Sequence, residues 1–527
     1  MRTPTGSNAS RPCARWKVFG LAFVLTLAPM LTWALGTPLM ASPDEPAHAI
    51  RAAGVARGDL FGRPSVVKQG QIDVDVPRWV EHSAALSCFA FHPTIPASCQ
   101  QPLQGDPNEI VTANTSTALN SPVYYLLTGW PSLFVSGNVG FYLMRALSAV
   151  LTAGLLAFAF MAVRQFPRKR WATLALTAAV TPMVLFLGGV LNPNAVEFAA
   201  AAAVLATLVL TFTQPAPGFI FWERCFIIVL SVFLLTSTRN ISFLWLGLAL
   251  IIALLSTRWT TIRQLLPRLA TWLTLALVVV VCGFALMWFT RKFDVGGGTT
   301  GLSFADTFVS MIQRALDYSQ GWVGVFGWLD RPASFSSIAI WTTVVVAITV
   351  AALLFARRRF RIAIAIIAVA IVLVPALIES AVAPTIGGIW QGRYTLALLF
   401  FLMIICGIAL DDSQLTEPQR VTRAREWNRV FAATLVLIGI GQVTTFVWVL
   451  ERYVVGSDDV WHMIVNPIWQ PKFTWEGLTA LLAVVSSIGL WFVWRSIRLI
   501  PVNEPTDASK SLKGVSGIAT PTGREKL

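Results

Sequence analysis

The sequence predicts an all-α polytopic membrane protein with about twelve transmembrane helices and a large, partly helical first extracytoplasmic loop. Three observations support this fold class. Hydrophobic residues make up 55% of the 527 residues, charged residues make up 13%, and the mean hydropathy is +0.67. This composition lies far outside the range of soluble globular proteins. Apolar segments long enough to cross a lipid bilayer recur along the chain, and basic residues cluster between them.

The net charge of +14 would also suit a nucleic-acid partner. The Lys and Arg residues, however, stand next to the ends of apolar segments, as the positive-inside rule predicts for cytoplasmic loops. The charge is therefore a signal of membrane topology, and we predict no nucleic-acid partner.

The first apolar segment runs from Val18 to about Leu35. A secretory signal sequence has the same pattern, but many further apolar segments follow, so we predict a retained first helix. Residues 1–17 would then form a cytoplasmic N-terminus. The basic residues on which this orientation depends are Arg2, Arg11, Arg15 and Lys17.

A polar loop at 37–137 follows the first helix, and a loop of this length usually has structure and work of its own. Basic clusters recur at every second connection between the later spans. The positive-inside rule therefore places this loop outside the cytoplasmic membrane and both termini in the cytoplasm. One membrane domain would cover 18–500, and the tail at 501–527 is expected to be disordered because it is rich in Ser, Thr, Gly and Lys. The further predicted spans lie near 139–163, 171–190, 195–213, 220–237, 241–256, 270–290, 338–356, 362–383, 394–410, 430–450 and 475–494.

Two adjacent carboxylates, Asp44 and Glu45, closely follow the first span, and His48 comes just after them. A helix start is one explanation, because acidic residues near a first turn interact favourably with the helix dipole. In that case Pro46 would be the first helical residue and Gly58 would end the helix. A catalytic or substrate-binding carboxylate is the other explanation, and the surrounding membrane context favours it.

Other polar residues collect at the same predicted extracytoplasmic face, and convergence of this kind is how a site is usually recognised. Each also has a simpler explanation. The Asn-Pro-Asn segment after 191 reads equally as a turn with a helix start, and Arg393 could extend to the interface instead of binding a phosphate. The candidate substrate-binding residues are His48, Asn192, Asn194, Glu197, Arg291, Lys292, Trp390, Gln391, Arg393 and Tyr394.

Cys88 and Cys99 lie in the polar loop, whereas three other cysteines, Cys225, Cys282 and Cys406, lie in apolar segments. If the loop is extracytoplasmic, a disulfide between the loop cysteines is expected. The spacing of the two residues does not fit a usual zinc site.

Several common sites are not supported by the sequence. It contains no Walker A, HExxH or GxSxG motif in a suitable context, so a nucleotide-driven pump, a zinc protease of that type and a common serine hydrolase lack support. His48, His82 and His92 have no diagnostic metal-binding spacing, so the sequence leaves a metal site undecided.

Several motifs together resemble a bacterial family of polytopic membrane proteins known only as a domain of unknown function. That family in turn resembles the GT-C glycosyltransferases, which share a multi-span fold, a large first extracytoplasmic loop and an acidic pair near its start. The motifs are Pro43-Asp44-Glu45-Pro46-Ala47-His48, the loop from Cys88 to Cys99, Asn192-Pro193-Asn194 with Glu197, Phe326-Gly327-Trp328-Leu329-Asp330 and Gln391-Gly392-Arg393-Tyr394.

The resemblance implies a membrane glycosyltransferase that takes a sugar from a polyprenyl-phosphate-linked donor. The acceptor would be a cell-envelope glycan or glycoconjugate on the extracytoplasmic face. Asp44 would be the general base, with Glu45 as the alternative, and Arg393, with Arg291 or Lys292, would stabilise the departing phosphate. Some GT-C enzymes use a divalent cation and others do not, so no cofactor is assigned.

Two other functional classes stay open at this point. A transporter or flippase of lipid-linked envelope precursors would place ionisable groups along a path through the membrane, and Glu379 lies within a predicted span. A non-catalytic scaffold is the third class. The collection of polar residues at one face favours the enzyme.

Overall fold

A computed structural model of the chain describes residues 12–68, 70–106, 108–290, 300–413, 421–456 and 460–499. Three predicted features lie outside the described residues: most of the N-terminal segment, the pair Arg291 and Lys292, and the tail at 501–527. Within the described residues the protein is almost entirely α-helical, which confirms the predicted fold class.

The helices of the described part run in chain order as follows: α1 (Pro12–Gly36), α2 (Glu45–Ala56), α3 (Arg78–Glu81), α4 (Pro122–Gly129), α5 (Gly137–Val163), α6 (Arg170–Ala179), α7 (Pro182–Gly188), α8 (Pro193–Thr213), α9 (Gly218–Thr236), α10 (Ser242–Leu255), α11 (Trp259–Arg263), α12 (Leu269–Phe289), α13 (Phe304–Gln313), α14 (Ala315–Gln320), α15 (Phe335–Phe355), α16 (Arg358–Ile386), α17 (Leu396–Asp412), α18 (Val421–Val454), α19 (Val460–Val465) and α20 (Trp475–Ile497). The strands are β1 (Arg63–Pro64), β2 (Ile72–Pro77), β3 (Ile110–Thr115), β4 (Val325–Phe326) and β5 (Arg331–Pro332).

Ten helices in the described part are long and apolar enough to cross a membrane, against about twelve expected from the sequence. The segment predicted at 171–190 is a broken pair, α6 and α7, bent by 64°. The bend has a local cause, because Pro182 starts α7 and the Thr181 hydroxyl caps it by accepting from Val184 N. The segment predicted at 241–256 forms α10, which is shorter than the other spans.

The polar loop between α1 and α5 contains a small antiparallel sheet in the order β1-β2-β3, which the sequence analysis did not predict. Ile72, Val74 and Val76 are buried on one side of β2. Helix α2 packs on this side, and a Cβ at Gly54 would lie 3.1 Å from Val74 Cβ. The loop also contains the Cys88–Cys99 disulfide.

Nearly all residues of α8 and α17 are buried, so these two helices form the centre of the bundle, whereas α12 and α20 lie at its periphery. Small residues allow the close packing of the central helices. A Cβ at Gly407 on α17, for example, would lie only 2.5 Å from Ala172 Cα on α6.

The bundle has two ends, which we call the basic end and the site end. At the basic end α5 is followed by Arg164, Arg168, Lys169 and the first residue of α6, Arg170. At the site end α1 leads into the polar loop and α2.

Arg452 of α18 attaches the disulfide-containing part of the loop to the bundle. Its Nη2 donates to the Phe89 and His92 carbonyl oxygens, both at 2.9 Å, and to Asp330 Oδ2 at 2.7 Å. Its Nη1 donates to the Ile95 carbonyl oxygen at 2.7 Å. Both charged side chains are almost fully buried, so this contact fixes the loop over the site end.

Candidate functional site

The adjacent carboxylates Asp44 and Glu45 point into different surroundings. The Glu45 side chain is buried and accepts from Arg145 Nε and Nη2, both at 2.7 Å. Its Oε1 also accepts from Leu191 N at 3.1 Å. These contacts occupy both oxygens of Glu45, so its carboxylate holds α2, α5 and the start of α8 together.

Asp44 is the residue just before α2 and has a φ of 66°, in the left-handed region. Outside glycine, Asp and Asn are among the residues that best tolerate this region, at a cost of about 1–2 kcal/mol. The turn leaves the Asp44 side chain 50% exposed, with Oδ2 3.6 Å from Arg393 Nη2. An unusual backbone conformation that presents a carboxylate to solvent is typical of functional sites.

Arg393 lies in a 3-10 turn, Gly392–Thr395, that leads into α17. Its side chain is only 3% exposed, and within the described residues its Nε and Nη1 are buried with no hydrogen-bond partner. Leaving a buried donor unpaired costs about 1–3 kcal/mol. An anion bound beside Arg393 would recover this energy, because guanidinium groups suit phosphate oxygens.

Glycine 392 allows the turn to pass close to a neighbouring segment. A Cβ at Gly392 would lie 1.9 Å from the Tyr318 carbonyl oxygen and 3.0 Å from Gly321 Cα. The Trp322 indole nitrogen donates to Thr395 Oγ1 at 2.8 Å. These contacts determine where the Arg393 guanidinium sits.

An open cleft of about 280 Å³ borders Arg393, Trp390 and Gln391. Trp390 Nε1 and Gln391 Oε1 are also buried without a partner in the part of the chain that the structure describes. The segment is held by Glu379 Oε1, which accepts from the backbone nitrogens of Ile389 at 2.6 Å and Trp390 at 3.1 Å. Within the described residues, the side chains that border the cleft therefore include buried donors and a buried acceptor without partners.

A second arginine, Arg239, stands beside this group. Its guanidinium lies over the Tyr394 ring at 4.3 Å and has Nη1 3.5 Å from Glu197 Oε2. Glu197 also accepts from Asn194 Nδ2 and from Ser242 Oγ, both at 2.8 Å. Glu197 thus orients Arg239, which interacts electrostatically with Asp44.

Asn192 has a structural role in the turn before α8. Its side chain caps the helix by accepting from Asn194 N at 3.0 Å, as expected for Asn at this position. This is the helix-start explanation that the sequence left open for the Asn-Pro-Asn segment.

His48 lies inside α2 and is buried, with Nδ1 2.9 Å from the Tyr125 hydroxyl. Asn120 Nδ2 donates to the same hydroxyl at 2.9 Å. Burial lowers the pKa of His48 from 6.5 to about 4, against a smaller opposing effect of Asp44. At neutral pH His48 is thus uncharged beside Asp44.

The chemistry of these residues would suit a hydroxyl group next to an anion. Asp44 can accept a proton at its exposed carboxylate, and Arg393 and Arg239 can stabilise negative charge nearby. Among the described residues no three His, Cys, Asp or Glu side chains form a group that could hold a metal ion.

Sequence reasoning did not select Arg145 or Arg239 as site residues. Arg145 had a usable signal, because a lone charged residue within a predicted span is costly and needs a partner. Arg239 stood at the site end beside Asn240 but carried no motif. Tyr125 had no distinguishing pattern in the sequence.

Three comparisons place the chain among known proteins. Curated proteins gave no match. The solved structures that are similar to this chain include two of ArnT from Cupriavidus metallidurans. The one bound to undecaprenyl phosphate has a TM-score of 0.44 and 14% identity, and the apo state has a TM-score of 0.41 and 15% identity. Each match covers 92% of this chain and 77% of the other. The family described as "Predicted membrane protein (DUF2142)" matches residues 27–402, most of the chain, so the protein belongs to the DUF2142 family.

Proposed function

We propose that the protein is a membrane glycosyltransferase of the GT-C type that works at the site end of the bundle. It would transfer a sugar from a polyprenyl-phosphate-linked donor to a cell-envelope glycan or glycoconjugate. One observation carries the proposal: a half-exposed carboxylate, Asp44, stands beside the buried guanidinium of Arg393, which has two nitrogens without a partner among the described residues. The positive-inside rule would put this end on the extracytoplasmic face.

In this mechanism Asp44 is the general base. Its Oδ2 takes the proton from the acceptor hydroxyl, while that oxygen attacks the anomeric carbon of the donor sugar. The bond between the anomeric carbon and the phosphate oxygen breaks, and polyprenyl phosphate leaves with the electron pair. A single displacement with inversion needs one base and no second catalytic carboxylate.

Arg393 stabilises the charge that develops on the departing phosphate. A guanidinium that is already buried and oriented needs little reorganisation, and it acts more strongly than an exposed one. Arg239, oriented by Glu197, adds a second positive charge beside Asp44. Among the described residues Trp390 Nε1 is free to donate to a phosphate or hydroxyl oxygen of the donor, and Gln391 Oε1 is free to accept from a donor hydroxyl group.

Two residues suggested earlier have different roles in this proposal. Glu45 is engaged with Arg145 and Leu191, so Asp44 alone is proposed as the base. Glu379, the residue that suited a transporter, accepts from backbone nitrogens next to Trp390 and so shapes the cleft.

The test compares envelope glycans and lipid-linked sugars in cells carrying the native chain or Asp44→Asn. Asn keeps the size and tolerates the left-handed backbone of Asp44, but it cannot accept a proton. The matched control is Asp75→Asn, since Asp75 is a similarly exposed carboxylate paired with Arg63 in the same loop.

We expect Asp44→Asn to remove one defined sugar and to accumulate its donor on the outer face, with the control unchanged. Native glycans in Asp44→Asn cells would contradict the assignment of the base. Donor trapped on the inner face would favour a flippase.

A further inference from the structure

A second cavity, of about 210 Å³, lies on the opposite half of the bundle from the candidate site. Its walls come from α1, α5, α6, α7, α18 and α20, and it shares no lining residue with the cleft beside Arg393. Helix α20 covers it from the membrane side, packing against α1 and α18.

The lining of this cavity is mainly apolar, with aliphatic and aromatic side chains such as Leu25, Phe160, Ile438 and Val485. No acidic side chain is among the described residues that line it, and its one charged residue is Arg164. An occupant must therefore be apolar along most of its length.

The depth of the cavity corresponds to one leaflet of a bilayer. It extends along α1 from Val18 to Pro29 and along α20 from Val485 to Ser496. At 1.5 Å per residue, each wall is about 16 Å long. Half of a hydrocarbon core is about 15 Å thick, so the cavity reaches from the basic end to about the middle of the membrane.

The mouth of the cavity is positively charged. Arg164 lies at the basic end and donates from Nη1 to the Ser496 carbonyl oxygen at 3.3 Å. Lys169 Nζ donates to the Arg164 carbonyl oxygen at 3.0 Å, which brings its ammonium group to the same place. Charge of this kind is complementary to an anionic headgroup.

We propose that this cavity binds an anionic phospholipid of the leaflet at the basic end, with one acyl chain in the cavity and its phosphate beside Arg164. The lipid would fill the space between α20 and the rest of the bundle. The apolar lining of the cavity matches the acyl chain, and its depth matches the thickness of one leaflet. The positive charge at its mouth matches the phosphate. The inference does not depend on the proposed enzymatic function.

The experiment reconstitutes the full chain in nanodiscs of equal phosphatidylglycerol and phosphatidylcholine, extracts it into detergent and counts retained lipids by native mass spectrometry. Gly489→Phe fills the cavity, because a Cβ there points at Leu25, 3.9 Å away. Its control is Gly283→Phe on α12, where a Cβ has nothing within 4 Å. Arg164→Gln removes the charge at the mouth, and Arg263→Gln, at the same end of the bundle, is its control.

We expect the native chain and both controls to keep one phosphatidylglycerol per chain. Gly489→Phe should lower that occupancy about tenfold, and Arg164→Gln should lower the preference for phosphatidylglycerol about tenfold, because a charge-assisted contact of about 1.5 kcal/mol is lost. If Gly489→Phe does not accumulate in the membrane, Val485→Phe, one turn away on the same wall, makes the same test.

Three results would overturn the proposal. The first is unchanged lipid retention in the cavity-filling variant, and the second is equal loss in Gly489→Phe and Gly283→Phe. The third is retention of a polyprenyl phosphate in place of a phospholipid, which would assign the cavity to a different lipid.

Discussion

Arg145 and Glu45 form a buried pair in which two guanidinium N–H groups donate to the two carboxylate oxygens, each at 2.7 Å. The other three N–H groups of Arg145 donate to the carbonyl oxygens of Ala34, Thr37 and Pro38. All five donors are thus used. The pair joins the end of α1 to the start of α2, and it places Asp44 in the turn between them.

The first prediction concerns this pair. Glu45→Ala leaves a buried arginine without its counter-charge, so we expect a loss of about 3–5 kcal/mol in the free energy of unfolding. Thermal unfolding in detergent measures it. The control is the double variant Glu45→Ala with Arg145→Met, which removes both charges and should recover part of the loss. A Glu45→Ala protein of native stability that lacks activity would instead make Glu45 the base.

The second prediction concerns pH. His48 has a pKa of about 4 in the folded protein because burial disfavours its charged form, against 6.5 when unfolded. As the pH falls, His48 of the unfolded chain therefore binds a proton at a higher pH than His48 of the folded protein. The contribution of His48 to the free energy of unfolding is fully present above pH 6.5 and falls by about 3 kcal/mol as the pH drops to 4.

His48→Asn should remove that part of the acid sensitivity, because the Asn amide does not titrate. Melting temperatures of the two proteins between pH 7 and pH 4 provide the measurement. His92→Asn, which changes an exposed side chain, is the control. Parallel curves for the native chain and His48→Asn would show that the histidine is not buried in its neutral form.

The third prediction concerns the close approach at Gly392. Gly392→Ala would put a methyl group against the Tyr318 carbonyl oxygen, so the turn must shift and carry Arg393 away from Asp44. Sugar transfer should fall about as far as in Arg393→Ala, because a displacement of about 1 Å can cost a hundredfold in rate. Gly388→Ala is the control, since a Cβ there lies 3.6 Å from Glu379 Oε1, an ordinary contact. Equal activity in both alanine variants would refute the role of this turn.

The fourth prediction concerns the attachment of the loop. Arg452→Met leaves Asp330 buried without its partner and frees three loop carbonyl oxygens. We expect unfolding to be easier by about 3–5 kcal/mol and the Cys88–Cys99 segment to become accessible to protease. Limited proteolysis measures this, with Arg425→Met at an exposed position of the same helix as control. A protected loop in Arg452→Met would show that other contacts hold it.

Hydropathy predicted the membrane class and nearly all of the spans, because a bilayer imposes a length and an apolar composition on each helix. Hydropathy could not show that the predicted span at 171–190 is broken at Pro182, because the break depends on a local turn as well as on composition. The sheet in the loop was missed although Ile72, Val74 and Val76 alternate with polar residues, which is the pattern of a half-buried strand.

The sequence placed the candidate site residues at one end of the bundle but not in contact. The pairing of Asp44 with Arg393 depends on the packing of the α2 turn against the start of α17, which no local pattern encodes. Nor could the sequence distinguish Asp44 from Glu45. That difference arises from a left-handed residue at Asp44 and from Arg145, about a hundred residues away along the chain.

In the proposed mechanism Asp44 takes the acceptor proton while Arg393 binds the donor phosphate. The most direct measurement uses purified chain in nanodiscs with lipid-linked sugars extracted from the producing cells, and follows both bound donor and released polyprenyl phosphate. We predict that Asp44→Asn binds the donor normally but releases polyprenyl phosphate at least a hundredfold more slowly. Arg393→Ala should lose donor binding itself. Native release by Asp44→Asn, or equal donor binding by all three proteins, would contradict the account.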